Sequence, residues 1–463
     1  MDTYFSQLKK VVIDGLIEYS NSSDLSNVYS EFLSIYTLIC LSKSNFLDDY
    51  DKSLLDKLLH KRSNDIDLKL NHFFDYIEER YDELNGVFTR IEIASPSQSY
   101  TLDRNFRIHN VLERLSSIEI SFDSFYGKVF NVLLDFISKN SGKKAAEFYT
   151  PNAVVDLMVK IISPEENKSI YDPVCGSAGL LIQATEFIKS NNGDSTNTPL
   201  YGQEINLSTW QIAKQNLLVN DLFNSCIYLG NTLLEPRNLS ADGQITKYDY
   251  VLANPPFSLK NWGKGHYFTN DVRFNFGIPP NNNADYAFVQ HCLASMKEKG
   301  KAAIIVSPSS LSRMGCEGKI RQRLIEENVV EGIIALPSKL FHGTSIAPNI
   351  LILNNNKTSE NIIFIDASES FKVQGHLNTL DEGDISLITS LYNERKDSKK
   401  LCAVISREQI LEKEGGVLSV DRYIKKEYFY QVEETFSDLQ AKQINLTNRL
   451  TQLEDEMLEL IKS

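Results

Sequence analysis

No Cys-x-x-Cys pair occurs in the 463 residues. The six cysteines, Cys40, Cys175, Cys226, Cys292, Cys316 and Cys402, lie far apart, so neither a zinc knuckle nor a redox dithiol is indicated. Aliphatic runs such as AAIIV at 302–306 fall far short of the ~20 residues that a membrane span needs. The opening MDTYFSQLKK lacks the apolar stretch of a signal peptide. These absences predict a reducing, cytoplasmic protein with no membrane segment. Positive charge is scarce: 48 Lys and Arg stand against 61 Asp and Glu, a formal net charge of −13. Phosphate neutralisation carries most nucleic-acid affinity, so this chain alone is not expected to hold DNA tightly. A DNA substrate would require a partner that brings positive charge, or a face on which the chain concentrates its own. Internal repeats and low-complexity tracts are absent.

What is present suits packed domains. Hydrophobic residues make up 42% and charged residues 24%, and the length suggests about three domains. Residues 1–140 read as a helical N-terminal domain: only Gly15 and Gly86 precede Gly127, and Leu54, Leu55, Leu58, Leu59 and Val129, Val132, Leu133, Phe136 recur at helical spacing. From about 145 short β-rich runs alternate with helical stretches. The runs are 169–174, 199–203, 226–230, 248–253, 301–308, 329–337 and 349–354, with NIIFIDAS at 361–368 after them; the helices are Asn152–Ile162, Leu180–Ser190, Ser208–Asn220, Asp285–Lys299 and Lys319–Glu327. That alternation predicts a doubly wound α/β domain, taken as 141–370, with a largely parallel sheet whose ligand sits beyond the carboxyl ends of the strands. The main sheet is expected to end near 354. A connecting tail covers 371–432. In the last segment, 433–463, Phe436, Leu439, Gln443, Leu446, Leu450, Leu453, Met457 and Leu460 form a heptad seam with one polar position, on a helix about 40 Å long that reads as a docking helix.

Four motifs carry candidate chemistry. Asn254-Pro255-Pro256-Phe257 follows the apolar run 248–253; consecutive prolines must end that strand, which puts the motif on the ligand-binding edge. The rigid backbone fixes the Asn254 amide and a neighbouring carbonyl as two acceptors, which suits an exocyclic NH₂ group, and Phe257 can stack on the base that carries it. Accepting those N–H bonds lets a delocalised lone pair localise on nitrogen. Asp172-Pro173-Val174-Cys175-Gly176-Ser177-Ala178-Gly179 leaves the first strand and opens a helix, with small residues that let a ligand approach the backbone. It is neither G-x-G-x-x-G nor a Walker motif, which argues against NAD and ATP, and Cys175 reads as a small turn residue. Glu204, about 25 residues beyond that turn, is placed to accept from ribose hydroxyls. Phe148-Tyr149-Thr150-Pro151 precedes a helix: Thr150 reads as its N-cap and Pro151 as its first turn, while the two aromatics could wall a ligand. Asn231, Thr232, Asp285 and Phe288 are further candidates.

Taken together these residues resemble the amino-methyltransferases that use S-adenosylmethionine (SAM), most closely the methylation subunit of type I restriction-modification systems. FYTP, DPVCGSAG, YGQE, GNTL, LANPPF, ADYAF, and LPSKLF followed by APNILIL come in that family's order between about 125 and 355, and VDRYI at 420–424 is similar to its tail. The resemblance implies a Rossmann-like methyltransferase domain. Asp172, Gly176, Ser177 and Gly179 would hold the methionine end of SAM, Glu204 its ribose, and Asn231 and Leu233 would flank its adenine. Phe148 and Thr150 would close the pocket. Asn254 and Pro255 would accept from the target adenine N6, with Pro256 and Phe257 completing the motif. Ala145-Ala146, Ala178 and Asn231 stand where related proteins often have Gly, Gly and Asp. The target adenine must leave the duplex to be reached. No metal is implied, because a sulfonium is already a strong leaving group.

The implied partners are DNA, a separate specificity subunit docked through the C-terminal helix, a second methylation subunit in a two-to-one complex, and a restriction subunit for cleavage. Residues 297–323 carry a local excess of basic residues that could assist on DNA or could be a solvated face. A SAM-dependent enzyme acting on RNA or on a protein glutamine amide, and a non-catalytic scaffold, remain alternatives.

Overall fold

The computed structural model describes residues 2–20, 27–93, 100–117, 125–140, 149–263, 265–266, 268, 270–398, 400–425 and 436–462. It divides into a large unit, Met1–Ile424, and a small one, Lys425–Ser463.

Among the described residues, six α-helices open the large unit: Asp2–Ser20, Val28–Lys43, Asp49–His60, Ile66–Arg80, Tyr100–Ser116 and Phe125–Asn140. The third shows why they form. Asp48 caps it by accepting from Asp51 N–H, acidic residues occupy its first turn, and Lys57 and His60 its last. Leu16, Phe32, Leu55, Phe74, Leu112 and Phe130 build a closed core that continues into Ile212, Leu218 and Val219 of the Leu207–Val219 helix. Gln215 on that helix donates to Ser34 Oγ and to the Val87 carbonyl, both at 2.9 Å. A side chain at Gly127 would run into the end of the Asn220 side chain, which would have to move aside to admit it. The helical region is therefore packed directly against an α/β crossover helix.

The nine-stranded sheet comprises β1 Ile170–Asp172, β2 Leu200–Glu204, β3 Cys226–Leu229, β4 Tyr248–Ala253, β5 Met296–Val306, β6 Val330–Ala335, β7 Asn349–Asn354, β8 Asn361–Asp366 and β11 Cys402–Ser406. Lys372–Gln374 and Leu377–Thr379, β9 and β10, form a separate hairpin. The sheet order is β11-β8-β6-β7-β5-β4-β1-β2-β3; β7 and β11 run against the rest. Continuous apolar strands such as β7, buried along its whole length, fit a sheet covered on both faces. Asn152–Ile162, Gly179–Ser190 and Glu382–Glu394 cover one face; Asp285–Ala294, Cys316–Glu326 and Arg407–Glu414 cover the other. β1 lies between β2 and β4, so the strand order reverses there and a crevice opens beyond the carboxyl ends of β1 and β4.

Two expectations are corrected. The sheet does not end near 354: β8 pairs with β6 and β11 closes the edge beside β8, drawing residues 402–406 out of the supposed tail. The helix expected over Asp285–Lys299 stops at Ala294, and β5 begins at Met296, because Met296 pairs with Tyr248 and the Ser295 carbonyl accepts Tyr248 N–H. In the small unit, Phe436–Lys462 is one helix, and Leu446, Leu450, Leu453 and Met457 of its seam are 50–72% exposed. Among the described residues no helix is long and apolar enough to cross a membrane.

Candidate active site

β1 delivers Asp172 to the crevice. Its side chain is buried and accepts from Val174 N–H at 3.0 Å. Burial pushes its carboxyl up to about 8, with Glu204 adding to the rise. The chain then turns through two left-handed residues, Gly176 (φ 52°) and Ala178 (φ 64°), before Gly179 opens its helix. Around the Cβ position of Gly179 no heavy atom lies within 4 Å, which leaves that helix start open. Cys175 packs under the turn: a side chain at Gly202 of β2 would stand 3.2 Å from its Sγ, so glycine makes room for it. Burial holds the Cys175 thiol well above its ordinary range, in keeping with a small packing residue.

Glu204 ends β2 and joins two loops. Oε2 accepts from Gly176 N–H at 3.1 Å and Oε1 from Asn206 N–H at 2.8 Å; burial raises its pKa. After β3, Asn231 Oδ1 accepts from the N–H groups of Leu233 and Leu234 at 3.0 and 3.2 Å, and Thr232 Oγ1 donates to the Pro173 carbonyl at 2.5 Å. Behind them buried Arg273 donates to the carbonyls of Thr232 (3.0 Å) and Leu233 (2.8 Å), with Asp271 neutralising it at 2.6 Å. The Leu233 side chain is buried in a cluster with Trp262, Phe274 and Phe288.

β4 delivers the third component. Asn254 is half-buried, and its Nδ2 donates to Thr150 Oγ1 at 2.9 Å. Thr150 does not cap the following helix as its sequence context suggests: the cap position is Pro151, with no side-chain bond. Pro255 is buried and Pro256 exposed. The Phe257 ring meets Phe341 edge-on, with centroids 6.5 Å apart at 71°. Asp285 fixes the turn that follows, accepting from Ser258 N–H at 2.8 Å and from Ser307 Oγ at 2.9 Å.

These loops surround one cavity of 330 Å³. Of the residues singled out in the sequence, Thr150, Asp172, Gly176, Ser177, Gly179, Glu204, Asn231, Asn254 and Pro256 line it, as do Thr232 and Phe288. Pro255, Phe257 and Leu233 do not line it, and Phe148 lies outside the described residues. Sequence reasoning missed Asn131, Ile205, Asn206 and Leu259, which also form its wall. The signal for Asn131 was a single polar residue inside the otherwise apolar run 129–134. The basic stretch 297–323 does not serve this cavity. Lys297 pairs with Asp249, Arg313 with Asp285, and buried Arg321 donates to the carbonyls of Gly416, Ser310 and Arg313. Lys297, Lys299 and Lys301 also sit on the early half of β5, whereas Ile304 is the residue level with Ala253 beside Asn254.

Residues 121–431 match the N-6 DNA methylase family. The chain is 30% identical over 395 residues to the methylase subunit of the type I restriction enzyme MpnII of Mycoplasma pneumoniae, covering 80% of this chain and 72% of that protein. To the HindI methylase subunit of Haemophilus influenzae it is 29% identical over 304 residues, covering 64% and 67% respectively. Its fold is similar to the crystal structure of a type I restriction-modification methyltransferase subunit from Streptococcus thermophilus, with a TM-score of 0.78 at 24% identity over 91% of this chain and 100% of that one.

Proposed function

Since the chain belongs to the N-6 DNA methylase family, as a methylase subunit of the type I restriction-modification kind, we propose that it transfers the methyl group of SAM to N6 of a flipped-out adenine in DNA, with sequence choice made by a separate specificity subunit. The observation that carries this reading is the convergence of the Asp172–Gly179 turn, the Glu204 carboxylate and Asn254 on one cavity where the strand order reverses.

The residues present fit the cofactor. Each Glu204 oxygen accepts one backbone N–H and keeps a second lone pair, so two acceptor positions remain for two ribose hydroxyls. Asp172 offers a buried carboxyl to a cationic methionine end, beside the open helix start at Gly179. Asn231 Oδ1 is engaged by two backbone N–H groups, which leaves its Nδ2 to donate to a base. Thr150 would wall the pocket. When bound, SAM supplies an electrophilic methyl on a sulfonium.

Asn254 Oδ1 and the Pro255 carbonyl accept the two N6 hydrogens, which returns the nitrogen lone pair to nitrogen. Phe257, braced by Phe341, stacks on the extruded base and holds it in line. Fixed acceptors of this sort need no reorganisation as positive charge develops on N6.

The exposed seam residues Leu446, Leu450, Leu453 and Met457 support docking of the C-terminal helix on helices of the specificity subunit, in a complex of two methylation subunits and one specificity subunit that a restriction subunit joins for cleavage. A chain of net charge −13, in which Lys297 and Arg313 of the basic stretch pair with Asp249 and Asp285, needs such a partner on DNA. Such a complex acts in the cytoplasm. The test is co-purification with the neighbouring gene product and mapping of modified adenines. N6-methyladenine at one recurrent sequence is expected; methyl groups on RNA or on glutamine amides instead would overturn the reading.

A further inference from the structure

Thr150 Oγ1 accepts a hydrogen bond from Asn254 Nδ2 across 104 residues of chain. Among the described residues, the helix that follows makes no use of that hydroxyl. The helix after it starts on Pro151, whose carbonyl accepts from Val154 and Val155 N–H at 2.9 and 3.1 Å. Thr150 is nevertheless held in place, because the preceding Tyr149 is buried in the core of the N-terminal helices. On the other side Asn254 stands at the end of β4, followed by two prolines that stiffen its backbone.

A carboxamide presents two ends of nearly equal shape and opposite hydrogen-bonding sense. Accepting from an exocyclic NH₂ requires Oδ1. The reversed amide would set Nδ2 against the N6 hydrogens, donor against donor. The Thr150 hydroxyl can donate or accept; here it accepts from Nδ2, which leaves Oδ1 as the end for a ligand, and among the described residues Oδ1 takes no hydrogen bond. We propose that Thr150 is a positioning residue that fixes the orientation of the Asn254 carboxamide and thereby presents its acceptor to the target nitrogen. This rests on the reading of Asn254 as the N6 acceptor. It also gives the N-terminal helices a part in the chemistry, because they anchor Tyr149 and so hold Thr150.

Thr150→Val keeps the shape that walls the cavity and removes the acceptor; Thr150→Ser keeps the acceptor. Each variant is assembled with the specificity subunit on DNA carrying the mapped site. Three quantities are measured: the single-turnover methylation rate at saturating SAM, the SAM dissociation constant, and the position of the Asn254 side-chain amide pair in the ¹⁵N spectrum, assigned by its loss in Asn254→Asp. For Thr150→Val the rate should fall about tenfold, the size of one hydrogen bond, with SAM affinity unchanged and the amide pair displaced. Thr150→Ser should restore both rate and amide position. An unchanged rate, a loss confined to SAM affinity, or equal failure of Val and Ser overturns the proposal. Asn254→Ala separates the two levels. If it abolishes transfer while Thr150→Val leaves the rate unchanged, only the positioning role fails; if it leaves transfer intact, the assignment of Asn254 itself fails.

Discussion

The Glu204 carboxylate accepts the backbone N–H of Gly176 at 3.1 Å, which ties the end of β2 to the turn that leaves β1. One side chain thus shapes the glycine turn and presents acceptors to the cavity. Glu204→Ala should raise the SAM dissociation constant at least roughly tenfold, since charge-assisted hydrogen bonds contribute about 1.5–3 kcal/mol each. Calorimetry checks this. An unchanged constant would mean that the ribose is held elsewhere.

Asp172 predicts a pH dependence. Its carboxyl is pushed up to about 8 in the folded chain against 3.8 for the free group, so the folded state binds a proton more tightly than the unfolded state between those values. Its contribution therefore lowers the stability of the ligand-free protein progressively as pH rises from about 4 to about 8. Asn keeps the acceptor for Val174 N–H without the buried charge. Asp172→Asn should raise the melting temperature at pH 8 by clearly more than at pH 5, and should weaken SAM binding. Equal shifts at the two pH values would show that Asp172 is not a buried acid.

The C-terminal helix carries the assembly prediction. Leu446, Leu450 and Leu453 are 72%, 61% and 50% exposed, and a stripe of that kind buries well only against another helix. Deleting residues 433–463 should leave a folded, SAM-binding chain that no longer joins the specificity subunit, with DNA methylation lost alongside assembly. Size-exclusion chromatography with the partner and a SAM titration test both halves. Continued assembly would place the main contact elsewhere; unfolding would place the seam inside the subunit.

Much of this arrangement was legible in the residues. β4 and β7 fall on the expected spans because the short apolar stretches 250–253 and 350–353, each flanked by polar residues, leave little choice of ends. The Asp172–Gly179 turn and the Asn254 motif could be placed on one sheet edge because both follow strands. β11 escaped notice because it is a five-residue edge strand inside a polar region, recognisable only once β8 offers it a partner. Thr150 was misread as a cap for a related reason. Local sequence satisfies a capping rule, and only the tertiary approach of Asn254 gives the hydroxyl its partner. The bracing role of Arg273 carried no signal, since the carbonyls it holds belong to a turn about 40 residues away in the chain.

The most direct test of the central claim is a single turnover with isotope-labelled methyl SAM, using the wild-type chain and Asn254→Ala, each assembled with the specificity subunit on its DNA site. Digestion to nucleosides and mass spectrometry then locate the label, and calorimetry gives the SAM affinity of each protein. The wild type should place the label on N6 of deoxyadenosine. Asn254→Ala should bind SAM nearly as tightly and transfer none of it, because the amide acts on the target nitrogen and not on the cofactor. Label on any other nucleoside, or SAM binding and transfer lost together in a folded Asn254→Ala protein, would contradict the account.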